Sequence, residues 1–98
     1  MTFAENCPFC GAATDVLDLP HLGVFELRCG GCGAACRIKP DFLPTLFTFT
    51  ESEKAELSRS LRTLFTRNPA GELFVLRSGR DVMEANWLAS VPPERRGH

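Results

Sequence analysis

From Asp15 to Leu19 the chain alternates polar and apolar residues. From Val24 to Arg28 it alternates again, with Val24 and Glu26 on one face and Phe25 and Leu27 on the other. A period of two marks a half-buried strand, and Pro20-His21-Leu22-Gly23 between the two runs reads as a turn. Residues 12–28 therefore predict a hairpin. Residues 34–38 predict a third strand, which Pro40 closes. The pattern then changes. Phe42, Leu43, Leu46, Phe47 and Phe49 crowd residues 41–49 around Pro44, which predicts a short turn of helix or an irregular lid. Thr50-Glu51-Ser52-Glu53 has the form of a capping box. In the helix that follows, to about Arg67, Leu57, Leu61, Leu64 and Phe65 recur at i, i+4, i+7 and i+8, one face of a helix. Arg59, Arg62 and Thr66 lie on its other side. Asn68-Pro69-Ala70-Gly71 stops it. Residues 73–76 read as a short buried strand or extended segment. Ser78-Gly79-Arg80-Asp81 predicts the start of a second, shorter helix over 79–89, with Val82, Met83 and Trp87 as its apolar members. Residues 1–6 read as a leader, with Phe3 packing back under the turn at residues 7–11. Residues 92–98 read as a disordered tail.

Cysteine adds what periodicity does not. Cys7-Pro8-Phe9-Cys10-Gly11 and Cys29-Gly30-Gly31-Cys32-Gly33 are two Cys-x-x-Cys turns, each followed by glycine, and eighteen residues (11 to 28) lie between the pairs. That separation fits a four-cysteine metal site, which takes about 15–20 intervening residues. Each turn needs backbone N–H groups aimed at sulfur and a glycine free to take a positive φ where the chain turns away. Four thiolates from Cys7, Cys10, Cys29 and Cys32 close a tetrahedron and leave no open position for water, so the site predicts one structural Zn2+ and no catalytic metal. Rubredoxin-type iron uses similar turns, so the ligand set alone leaves zinc and iron both open. The first forty residues are too few to be held by burial alone, which is where a metal staple is expected. Five cysteines without a signal peptide point to a reducing, cytoplasmic setting and to thiolate ligation in place of disulfides. No apolar run is long enough to cross a membrane. Cys36 shares a strand face with Ala34 and Ile38. It reads as a small buried apolar residue, with a substitute ligand or redox-sensitive thiol as the alternative. His21 sits at the hairpin tip and reads as a surface turn residue.

Charge divides the chain. Eleven basic residues face twelve acidic ones, a net −1. Residues 1–53 carry three basic and seven acidic residues, a balance of −4, and residues 54–80 carry six and two, a balance of +4. Arg59, Arg62, Arg67, Arg77 and Arg80 in this second stretch are the candidates for contact with an anion or a nucleic acid. A binder relying on phosphate neutralisation is usually more basic. The stacking platform of single-strand binders is not visible among these arginines in the sequence. The chain has no Gly-rich phosphate loop, no Gly-x-Ser-x-Gly and no His-x-Glu with a cysteine pair, so it predicts no enzyme.

Two cysteine turns and three short strands make a zinc ribbon. The order is ribbon, Ile38 and Phe42-Leu43, then Thr50-Glu51-x-Glu53-Lys54-x-x-Leu57-Ser58-x-x-Leu61-Arg62, then Glu72-Leu73-x-Val75-Leu76. This resembles the zinc-ribbon head at the N-terminus of assorted bacterial sensor and defence-associated proteins. The likeness covers about residues 5–85 and implies an adaptor or sensing head. The fold class expected is a small α+β metal-stabilised domain. It has a three-stranded zinc ribbon over 1–40, packed against a helical and extended layer over 41–91 with one main and one short helix. Phe42, Leu46, Phe47, Leu57, Leu61, Leu64, Phe65, Phe74 and Trp87 are its expected core. The function expected is non-enzymatic: a protein-interaction adaptor or accessory, regulatory subunit that pairs with itself or with a partner protein. The alternative is a nucleic-acid-binding ribbon that uses the basic helix face.

Overall fold

The alternating segments pair as their periodicity requires. In the computed structural model, which describes residues 2–92, strands β2 (Ala13–Leu19) and β3 (Val24–Arg28) form the expected hairpin, and β4 (Ala35–Ile38) adds antiparallel to β3. The sheet does not stop at three strands. β1 (Thr2–Asn6), expected as a leader, pairs antiparallel with β2, and β5 (Val75–Leu76) pairs parallel with β4, giving a five-stranded sheet in the order β1-β2-β3-β4-β5. Phe3 packs edge-to-face on Phe25 of β3, with ring centroids 5.1 Å apart, and lies against the core that includes Cys7 and Phe9.

Parallel pairing of β5 with β4 needs a long connection. The chain supplies it as a 3₁₀ turn (Pro40–Phe42), α1 (Leu43–Phe47) and α2 (Glu51–Arg67). Pro44 falls in the first turn of α1, where its missing N–H has no intrahelical partner to lose. The capping box forms as its residues imply. Glu53 N–H donates to Thr50 Oγ1 at 3.2 Å, and Thr50 N–H donates to Glu53 Oε1 at 2.8 Å. α3 (Gly79–Ser90) is the expected shorter helix. The Ser78 side chain does not cap it; instead the Arg77 N–H donates to the Asp81 carboxylate at 2.8 Å. Among the described residues the helical layer thus holds three α-helices where one main and one short helix were expected.

Register assigns the sheet's two faces. Phe3, Val16, Leu27 and Cys36 fall in one row across four strands, and Phe25, Ile38 and Leu76 in the next. Val16, Leu27, Cys36, Ile38 and Leu76 are buried with Phe42, Leu46, Leu57 and Leu61 in one continuous core. On the opposite face, Thr2, Leu17, Glu26, Arg37 and Val75 form a polar and apolar row that is only half-buried or exposed.

Three expected core members lie elsewhere. Trp87 is 62% exposed and Phe47 is 40% exposed. α3 turns its small side inward, with Ala85 fully buried and Val82 packed on the core, so the larger Met83 and Trp87 face solvent. Phe65 is partly buried but stands outside the continuous core, beside the second cysteine turn. The tail expected over 92–98 lies, from residue 93 onward, outside the described residues.

Candidate metal centre

The two cysteine turns are built alike. In the first, Gly11 N–H donates to Cys7 O at 2.9 Å, Cys7 N–H to Ala12 O at 2.8 Å, and Phe9 N–H to Cys7 Sγ at 3.4 Å. In the second, Gly33 N–H donates to Cys29 O at 3.0 Å, Cys29 N–H to Ala34 O at 2.9 Å, and Gly31 N–H to Cys29 Sγ at 3.3 Å. Gly11 and Gly33 sit at φ of 81° and 79°, the left-handed conformation that lets the chain leave each turn and enter a strand. The turns then close on each other. A Cβ on Gly31 would lie 3.0 Å from Ala12 Cβ and 3.4 Å from Cys10 Sγ, so glycine there permits the close approach.

This approach gathers the Cys7, Cys10, Cys29 and Cys32 sulfurs within 4.8 Å of one another. Cys7 Sγ lies 3.9 Å from Cys32 Sγ, and Cys10 Sγ lies 3.5 Å from Cys29 Sγ. A tetrahedron with metal–sulfur bonds of about 2.3 Å has edges of about 3.8 Å. Disulfide sulfurs would be about 2.05 Å apart. The spacing therefore fits four thiolates around a single metal ion. Electrostatics agree. Burial pushes the Cys7 thiol up, so without a positive ion its charge is costly. Burial also raises Cys29, but the Cys32 and Gly31 amides aimed at its sulfur, together with the Cys10 and Cys7 thiols, outweigh this and bring it to about 7. The ligands are not equally covered: Cys7 and Cys29 are buried, Cys32 is intermediate and Cys10 is exposed.

Cys36 stands apart from the set. It is fully buried opposite Leu27, and burial first, then the nearby Cys32, pushes its thiol up. It packs as a small core residue. His21 lies exposed in the β2–β3 turn, away from the sulfurs.

The five arginines scatter. Arg59 and Arg62 are exposed on α2, and Arg77 and Arg80 are exposed at the start of α3. Arg67 is committed to structure. Its guanidinium donates to Leu88 O at 3.0 Å, Val91 O at 3.1 Å and Ala89 O at 3.1 Å, filling the carbonyls that the end of α3 leaves open. Replacing Arg67 with alanine should destabilise the protein by on the order of 2 kcal/mol. Faster amide exchange should then be confined to the last turns of α3. Unchanged exchange there would show that these three bonds do not hold the helix end.

Sequence patterning gave little sign of another grouping. Arg28 leaves β3 with its guanidinium carbon 5.5 Å from the centroid of the Phe65 ring on α2, and Arg62 crosses the second turn at Gly33. The only sequence signal was Arg62 and Phe65 one turn apart; Arg28 is 37 positions from Phe65, so periodicity cannot link them. Among the described residues no helix is long and apolar enough to cross a membrane. Comparison with family models, curated proteins and solved structures returned no match, so the site is read from its own geometry: four cysteines on two like turns, spaced to hold one metal ion.

Proposed function

We propose that this chain is a non-enzymatic interaction module of the cytoplasm, stapled by one structural zinc ion and acting as an adaptor or accessory subunit. Four thiolates leave the ion no open position for substrate. The likeness to the zinc-ribbon heads of bacterial sensor and defence-associated proteins supports the same role. The observation that carries the reading is on α3. Met83 is 73% exposed and Trp87 is 62% exposed, one helical turn apart. Tryptophan is enriched among residues that anchor interfaces, and methionine adapts its shape to a partner.

A second copy is the occupant this face selects. Arg80 and Glu84 flank Met83 and Trp87 on the same side of the helix. Two such faces laid antiparallel about an axis near Met83 bring Arg80 of one beside Glu84 and Trp87 of the other, a self-complementary arrangement. The face is small against the roughly 800 Å² per partner of a stable complex, so pairing is weak and concentration-dependent. Trp87 is the sole tryptophan and reports the contact directly. Raising the protein concentration should increase the sedimentation coefficient and move tryptophan emission to shorter wavelength. Trp87→Ala should abolish the mass increase and change stability by less than about 0.5 kcal/mol. A monomer at every concentration, with emission unmoved, would overturn the pairing.

Nucleic-acid binding is the second reading. One observation favours it: Arg59, Arg62, Arg77 and Arg80 enter no ion pair among the described residues.

A further inference from the structure

Beside the second cysteine turn lies a recess of about 260 Å³, with Arg28, Gly30, Gly33 and Phe65 among its walls and no carboxylate lining it. The Arg28 guanidinium stands over the Phe65 ring at 5.5 Å, and its side chain is 56% exposed, so it stays accessible from solvent. Arg62 sits one turn before Phe65 on α2. A Cβ on Gly33 would fall 2.9 Å from Arg62 Cδ, which places the Arg62 stem across the recess rim. Arg28 does pair with Glu26 at 3.3 Å, but the same Glu26 also holds Arg37 at 3.3 Å. One carboxylate thus serves two guanidiniums and leaves positive charge over.

We propose that this recess binds one nucleotide unit of a single-stranded nucleic acid. The base stacks on the Arg28 guanidinium, which the Phe65 ring backs, and the adjoining phosphate meets Arg62. Guanidinium planes and aromatic rings both accept unstacked bases, whatever the base. A duplex keeps its bases stacked away from such a platform, and acidic side chains have no ring to lay on it. The proposal rests on the nucleic-acid reading and narrows it, from a basic helix face to the second cysteine turn. It is independent of pairing through α3. The net charge of −1 suits this mode, in which stacking contributes more than phosphate neutralisation.

The test is fluorescence anisotropy of short labelled single strands, one DNA and one RNA, titrated with the full metal-loaded chain across a salt series. Unlabelled duplex, polyglutamate and adenosine monophosphate serve as competitors. Single strands should bind with a shallow salt slope and resist the duplex and the peptide. Phe65→Leu, which keeps an apolar side chain of similar size, should weaken binding about tenfold while leaving the denaturation midpoint in place. Arg28→Lys keeps the charge, loses the plane and should do the same. Arg62→Gln should reduce the salt slope by about 0.7. If both stacking variants bind like the parent, or polyglutamate competes fully, the site is overturned. Full competition by the duplex overturns the site and leaves the broader nucleic-acid reading standing. Adenosine monophosphate binding more tightly than the strands would assign the recess to a free nucleotide and overturn the strand. No binding of either strand at low salt removes both the site and that reading.

Discussion

Stripping the metal with a chelator should unfold residues 5–39, not merely loosen the two turns. The reason lies in where the ligands sit. Cys7 and Cys29 belong to the same continuous core as Phe9, Val16 and Leu27, so the turns and the sheet share one interior. Without the ion, four thiols crowd within 4.8 Å at the junction of β1, β2, β3 and β4. Apparent binding free energies of structural four-ligand zinc sites are roughly 10–16 kcal/mol in small peptides. The whole stability of a small domain is about 5–15 kcal/mol. The metal contribution is thus of the same size as the fold's stability, and its loss should be decisive. The check is amide exchange in the stripped protein, read at Cys7 and Cys29, whose N–H groups bond to Ala12 O and Ala34 O. Cys29→Ser should give the same outcome at ordinary metal concentrations. A stripped protein that kept the β2–β3 hairpin protected would show that burial alone holds the sheet.

Leu61→Ala should be among the most damaging substitutions away from the metal. Leu61 is fully buried on α2 in the core that α2 shares with the sheet. Removing such a side chain costs about 2–5 kcal/mol, through lost transfer energy and the cavity left behind. In a chain this short, that lowers the melting temperature by roughly 10–25 °C. Measured by denaturant titration at fixed free metal, the loss should far exceed that of Trp87→Ala. The contrast tests the placement of the core, because residue size alone would rank the two in the opposite order. Equal losses would mean that α3 buries its outer face after all.

Much of this architecture could be read from the chain, and the failures share a cause. The cysteine spacing, the β2–β3 hairpin and the Thr50–Glu53 capping box are local patterns, each complete within a short stretch. β1 could not be read that way. Thr2-Phe3-Ala4-Glu5-Asn6 holds one large apolar residue, and it becomes a strand because β2 offers an edge. β5 is two residues long and owes its identity to β4. In α3 periodicity was ambiguous, since Val82 and Ala85 mark one apolar side and Met83 and Trp87 another. The packed side is the one whose small residues let α2 approach, with Ser60 Oγ donating to Asn86 Oδ1 at 2.6 Å between the helices. Arg67 was misjudged by charge, and Arg28 was not singled out at all. One fills the end of a helix that begins twelve residues later, and the other finds its ring across the fold. At the metal centre all four ligands were legible; the exposure of Cys10 beside the burial of Cys7 was not.

The likeness of the two cysteine turns bears on how the chain acquires its ion. Each turn is closed by bonds within six residues, from Cys7 to Ala12 and from Cys29 to Ala34. Either can therefore present two sulfurs before the rest of the chain has ordered. A half-site of this kind can seize an ion alone and hold it loosely, with solvent filling the remaining positions. Bringing in the other turn closes a loop of eighteen residues (11 to 28), at an entropic cost of roughly 2.5 kcal/mol. Capture and retention are thus set by different parts of the chain. Local turn geometry governs how quickly an ion is taken up, and docking of the second turn governs how long it stays.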